Sequence, residues 1–271
     1  MKIIQNRLAL FGLCILILFI GIALFAIYLA PFDPSEQHLQ EGLSGPSHQH
    51  LLGQDKLGRD ILSRMIYGSR ISLLVGISVV SISLIVGVLI GSMAGYFGGI
   101  VDEIIMRIVD IFLAFPGILL AIAITAVMGP SLRNVLIALC LMGWVGYARI
   151  IRGQILSVRE LEYVQAAQAN GASSIRILTF HILPNIMAPV IIEMTFGMAG
   201  AIIAEAGLSF LGLGVQPPTP SWGSMLAEGR QFLLLAPHLT TFPGLAIMLT
   251  VLGLNFVGDG LRDAMDVREN S

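Results

Sequence analysis

Charge is what this sequence has least of. Asp, Glu, Lys and Arg make up 12% of its 271 residues, about half the share of a soluble domain, so the chain is not written for water. Lys2 and Lys56 are the only lysines. Neither follows the glycine pattern of a phosphate-binding loop, so the chain does not hold ATP by a P-loop of its own. Cys14 and Cys140 both sit in apolar runs, which argues against a disulfide framework or a thiolate zinc site and leaves them as core filler. No HExxH or GxSxG occurs, and His181 and His238 stand at the ends of apolar stretches. An intramembrane hydrolase, which needs a nucleophile or metal ligands on facing spans, therefore finds no constellation here. A formal net charge of −2 gives no footing for nucleic acid. No catalytic, cofactor-binding or metal-ligating residue is assigned.

Hydrocarbon is what the chain has instead, with 56% hydrophobic residues and a mean hydropathy of +0.87. Leu8 to Ala30 runs without a charge and as a helix reaches about 34 Å, enough to cross a bilayer core. It is too long for a signal peptide and ends at Ala30-Pro31 without an A-x-A-like site, so it reads as a retained anchor. Further apolar stretches at Ile71 to Ala94, Ile104 to Val127, Asn134 to Ile151, Asn185 to Ala204 and Leu239 to Val257 bring the expected spans to six. The fold class is all-α, a polytopic membrane helical bundle. With Lys2 and Arg7 inside, Arg107, Arg149, Arg152, Arg159, Arg176, Arg262 and Arg268 join them. Lys56, Arg59, Arg64, Arg70, Arg133 and Arg230 fall outside, and this bias puts both termini in the cytoplasm. The expected division is 1–69 as anchor helix and extracytoplasmic loop, 70–260 as membrane core, and 261–271 as cytoplasmic tail.

Two segments are too long and polar for tight turns, Pro31 to Ser69 outside and Arg152 to Pro184 inside. The first ends in HLLGQDKLGRDILSR, which mixes turn signals with local Asp–Arg ion pairs. Its His48 and His50 are a weak metal set in a loop read as solvated. The outer segment GLSFLGLGVQPPTPSWG suits a re-entrant or interfacial cap better than a span. Gly87, Gly91 and Gly95 recur on one helix face and invite a close neighbour. Pro116 should kink the span that contains it. Arg107 and Asp110, three residues apart, are placed to pair. Glu193 and Glu205 are carboxylates inside apolar runs, which makes them, with Pro116, candidates for a pathway or gating role.

Between the fourth and fifth expected spans lies RELEYVQAAQANGASSIRILTFHILPN, too polar to cross lipid and too regular for a loop. Leu161, Val164 and Gln168 mark a helical stripe. Gly171 fits a left-handed C-terminal cap, Ser173 or Ser174 can start a second helix, and Pro184 should end it before the next span. Ala166 and Ala167 leave a low-profile face suited to seating in another protein's groove.

Glu162, Ala166, Ala167, Gly171, Leu183 and Pro184 together resemble the EAA loop of ATP-binding-cassette importer permeases. HLLGQDKLGRDILSRMIYGSRISLLVG, LSFLGLGVQPPTPSWG and GDGLRD resemble the dipeptide, oligopeptide and nickel subfamily, so the likeness covers nearly the whole chain. The sequence departs from the general loop pattern where Tyr163, Val164 and Gln165 separate the glutamate from the alanines, and at His181, where many importers have isoleucine. The resemblance implies a type I importer permease fold with residues 70–260 as its core, in the bacterial cytoplasmic membrane. It implies a second permease as heterodimer partner, two cytoplasmic ATPases that use the ATP, and an extracytoplasmic solute-binding protein. The helix from Glu162 to Gly171 would then be the coupling helix. Di- and oligopeptides are the expected cargo, with nickel or a metal chelate as the alternative. A gradient-driven secondary transporter would show an inverted repeat and ion-binding carboxylates; no repeat is evident, and Glu193 alone could serve.

Overall fold

The computed structural model describes residues 6–269, with side chains to Met265; Lys2 and the Arg268 side chain, used above for orientation, lie outside the described residues. Helix α1 (Arg7–Leu24) begins at Asn6, whose side chain accepts from the Leu8 and Ala9 amides, and a short α2 (Ala26–Leu29) follows it. After an irregular segment come α3 (Ile61–Phe97), α4 (Gly99–Leu113), α5 (Gly117–Met128), α6 (Leu132–Val158) and α7 (Glu162–Ala169). A single turn α8 (Ser174–Arg176) runs through a π-helical turn (Ile177–Ile182) into α9 (Leu183–Phe210), and α10 (Trp222–Gly229) and α11 (His238–Glu269) complete the chain. Among the described residues five helices are long and apolar enough to cross a membrane, or up to six if the bent pair of α4 and α5 counts as one broken span.

Three expectations change on contact with the backbone. The stretch Ile104 to Val127 is not one kinked span. It is α4 and α5, set at 80° to each other, with Pro116 as the residue that precedes α5. Lacking an N–H, Pro116 cannot extend α4, but its fixed φ suits the entry to a new helix. Nor does Pro184 end a helix. Residues from Ser174 to Phe210 form one span, because the π turn widens the backbone just where the proline ring would collide with it. Asn185 Nδ2 takes up the His181 carbonyl at 2.6 Å. The third change concerns the outer loop, which is helical from Ile61, where Asp60 accepts from the Ser63 amide at 2.7 Å and caps α3.

The seam between α3 and α6 organises the bundle. A Cβ on Gly91 would lie 2.5 Å from the Ala148 carbonyl oxygen, one on Gly95 would lie 2.9 Å from Ile155 Cβ, and one on Gly87 would fall on Tyr147 Cβ. The expected glycine face is therefore a helix contact. At the α7 end of this seam Arg152 clasps Asp102 of α4 through two hydrogen bonds, and Arg159 Nη1 donates to the Gly95 carbonyl at 3.0 Å. Arg107 and Asp110, expected to pair, are both exposed and form no ion pair among the described residues. Helix α1 lies along α11, where Asn6 Nδ2 donates to Asp263 at 3.1 Å, so both described ends of the chain share one end of the bundle with α7.

Gly91→Ala should destabilise the purified chain by about 1–3 kcal/mol, the cost of overpacking, seen as a lower Tm in detergent. Gly21→Ala, where an added Cβ meets nothing within 4 Å, is the control and should leave Tm unchanged.

Candidate functional site

Helix α7 is held to the bundle by one face only. Val164 is fully buried among Ile177, Ile182 and Ile186, with Ala167 and Ala172 packed beside it. Glu162, Tyr163, Gln165, Ala166 and Ala169 remain exposed. The expected stripe of Leu161, Val164 and Gln168 is corrected by this packing: Leu161 and Gln168 face outward, and the buried face is Val164 with Ala167. Gly171 has φ +77°, the left-handed conformation expected of it, and its amide donates to the Gln168 carbonyl at 2.9 Å as the chain turns back toward α8. Ser173 precedes α8 with an extended backbone. Leu183 packs against the cluster that holds Val164, while Pro184 is exposed. The result is a short exposed helix on a rigid base, at the opposite end of the bundle from α10.

At that other end, the segment between α2 and α3 is drawn onto α10 by buried charge. Arg59 Nε donates to Asp55 at 2.6 Å and Arg59 Nη2 donates to Glu228 of α10. Arg64 reaches both carboxylates, at 3.5 Å to Asp55 and 3.3 Å to Glu228. Asp55 and Arg59 fulfil the expected local pairing, whereas Glu228 was not anticipated. His50, read as part of a solvated loop, is buried instead: its Nδ1 meets Asp60 at 2.9 Å and its ring lies 4.6 Å from that of Phe32. His48 stays exposed, so the two histidines share no environment.

The segment after α9 turns back as α10, whose 8 residues are too few to cross a membrane. Trp222 is fully buried, donates from Nε1 to the Met65 carbonyl at 3.1 Å, and meets Phe19 edge-on at 5.4 Å. Glu205, also fully buried, accepts from Ser209 at 2.7 Å and from Ser221, the residue that caps α10, at 3.1 Å. Glu193 is half-buried on α9 and borders a cavity shared with α3 and α6. Pro116 is exposed at the break between α4 and α5. The described chain therefore carries an exposed helix at one end, a charge-bonded cap at the other, and a carboxylate between them.

The family model described as binding-protein-dependent transport system inner membrane component matches residues 87–270. The model for the N-terminal TM domain of oligopeptide transport permease C matches residues 2–46. The dipeptide transport system permease protein DppC of Alkalihalophilus pseudofirmus is 49% identical over 267 residues, 98% of this chain and 88% of that protein. The glutathione transport system permease protein GsiD of Pectobacterium atrosepticum is 47% identical over 261 residues, covering 96% and 86%. Among solved structures, the MetNI methionine ABC transporter in an inward-facing conformation is similar in fold, with a TM-score of 0.60 at 18% identity, over 73% of this chain and 94% of that one.

Asp55→Asn should loosen the cap, because it strips a buried charge partner from Arg59 and Arg64, a loss of about 3–5 kcal/mol. Hydrogen exchange across residues 38–60 should rise by orders of magnitude. Glu36→Gln, which alters an exposed pair with His38, should stay within about 0.5 kcal/mol.

Proposed function

The chain belongs to the binding-protein-dependent transport system inner membrane components, and we propose that it forms half of the path by which an ATP-driven importer moves di- and oligopeptides across the bacterial cytoplasmic membrane. The other half is a second permease. Two ATPases bind from the cytoplasm, and a solute-binding protein delivers the cargo from outside. Peptide cargo draws its support from the relatives named for dipeptide and glutathione transport.

The observation that carries the coupling role is the one-sided burial of α7. Val164 fixes the helix to the bundle while Glu162 and Ala166 stay exposed, so an ATPase groove can seat the small outer face without disturbing its base. Ala167, Leu183 and Pro184 belong to that base and to the turn that aims it, and Gly171 closes the helix. In this orientation α7 and both described termini are cytoplasmic and α10 is extracytoplasmic. Residues 1–69 then serve as anchor and outer cap, 70–260 as the permease core, and 261–271 as the inner tail.

Nucleotide binding would draw the two ATPases together and carry the paired coupling helices with them, tipping the spans between two packings of similar energy. Glu193 borders the path in this scheme, Pro116 permits the break between α4 and α5 to flex, and Glu205 keeps α10 seated as the outer gate.

Glu162→Lys and Gly171→Pro should leave membrane insertion intact, yet lower peptide uptake at least about tenfold through loss of a contact hot spot. The ATPase subunits should no longer co-purify with either variant. Retention of those subunits together with cargo-stimulated ATP turnover would overturn the coupling role of α7. The chain purified free of partners should hydrolyse no ATP.

A further inference from the structure

Halfway along three membrane-spanning helices lies a polar pocket that the coupling face leaves unused. Ser83 of α3, Tyr147 of α6 and Glu193 of α9 each sit near the middle of their span and line a cavity of about 110 Å³. That volume holds three or four waters at about 30 Å³ each.

The pocket's polar lining is not satisfied from within. Ser83 Oγ and Tyr147 Oη are both buried without a hydrogen-bond partner, although the residues are only 1% and 5% exposed, a situation folded interiors avoid. Each hydroxyl stands against a glycine, in the place a side chain there would take. A Cβ on Gly143 would fall on Ser83 Oγ, and one on Gly197 would fall on Tyr147 Oη. Gly146 lines the same cavity with nothing within 4 Å of an added Cβ. Among the described residues no Lys, Arg or His side chain lines the pocket, so none of its lining groups balances a carboxylate.

We infer that this pocket is a binding site for a primary ammonium group, the protonated amine of a peptide in transit. An ammonium brings three N–H donors, and the pocket offers three acceptors in the Glu193 carboxylate and the two hydroxyl oxygens. An anion could accept from the two hydroxyls but meets the Glu193 carboxylate beside them, and an apolar group leaves both hydroxyls unpaired. The preference for a cation follows from the pocket alone. That the amine belongs to cargo rests on the importer reading.

The test uses the full chain with its partner subunits in membrane vesicles, with Cys14 and Cys140 replaced by alanine. Ser83→Cys should react with 2-aminoethyl methanethiosulfonate at least about tenfold faster than with the 2-sulfonatoethyl reagent, and Glu193→Gln should erase most of that difference, because the carboxylate's field acts on reagent charge. Taking the ratio cancels any change in thiol reactivity. Gly197→Ala should slow both reagents by closing the cavity. Gly146→Cys should repeat the pattern and serves as the probe if Ser83→Cys does not fold. A ratio untouched by Glu193→Gln, or no reaction at either cysteine, overturns the site.

Uptake of dialanine by Glu193→Gln vesicles should fall by about tenfold. Uptake at the parental level would overturn the assignment of the amine to cargo. Failure of the cysteine-free parent to import dialanine would count against the importer reading and leave the reagent preference standing.

Discussion

The close approach of α3 and α6 is the constraint on which the rest of the bundle depends. Lipid supplies no hydrophobic drive between helices, so association rests on contact between surfaces that fit. Gly91 brings the α6 backbone so near that Ala148 occupies the place of a missing side chain. Gly87 does the same for Tyr147 Cβ, and the tyrosine then reaches across to Gly197 of α9. The position of α9 against the first pair therefore follows from where the glycines let Tyr147 stand. The same seam sets the clasp at the α7 end, since Arg152 and Arg159 can reach Asp102 and the Gly95 carbonyl only where α6 lies tight on α3.

Local chemistry made much of this legible in the sequence. The apolar runs found the spans, the spacing of three glycines found a contact face, and Gly171 announced the left-handed turn after α7. Proline was harder to read. Pro116 and Pro184 carry the same chemistry, yet one stands at a break of 80° and the other lies inside a continuous span. The difference lies in the backbone around them. A widened turn, with the Asn185 side chain bonded to the His181 carbonyl, absorbs Pro184, whereas the chain before Pro116 has already left α4. Such compensation is a property of neighbours, which a residue type does not carry.

The cap at the α10 end shows the other limit. Asp55 and Arg59 are four residues apart and could be paired on sight, but Glu228 stands 169 residues beyond Arg59, and only folding makes it the third charge. Without it, two arginines and one aspartate would be buried together, an imbalance that a low-dielectric interior does not tolerate. The segment before α3 is therefore tied to α10, and α10 is tied through Ser221 to Glu205 on α9. What reads as a polar loop is a structural bridge from the first span to the fifth. For the same reason His50 lies in the interior, with Asp60 as its partner, and is not displayed to solvent.

The two ends of the molecule are joined by one body of packed side chains. Val164, which anchors the exposed helix α7, belongs to the same buried cluster as Ile177 and Ile182 of the π turn, Ile186 and Val190 of α9, and Val80 and Tyr147. Tyr147 carries its hydroxyl into the mid-membrane pocket beside Glu193. Close-packed interiors transmit displacement because they have no free volume in which to lose it. A shift of α7 against its base therefore presses on side chains that also wall the pocket, and the π turn is the least regular part of that route. If α7 is the coupling helix proposed above, the path from it to the pocket is short and lies within this chain.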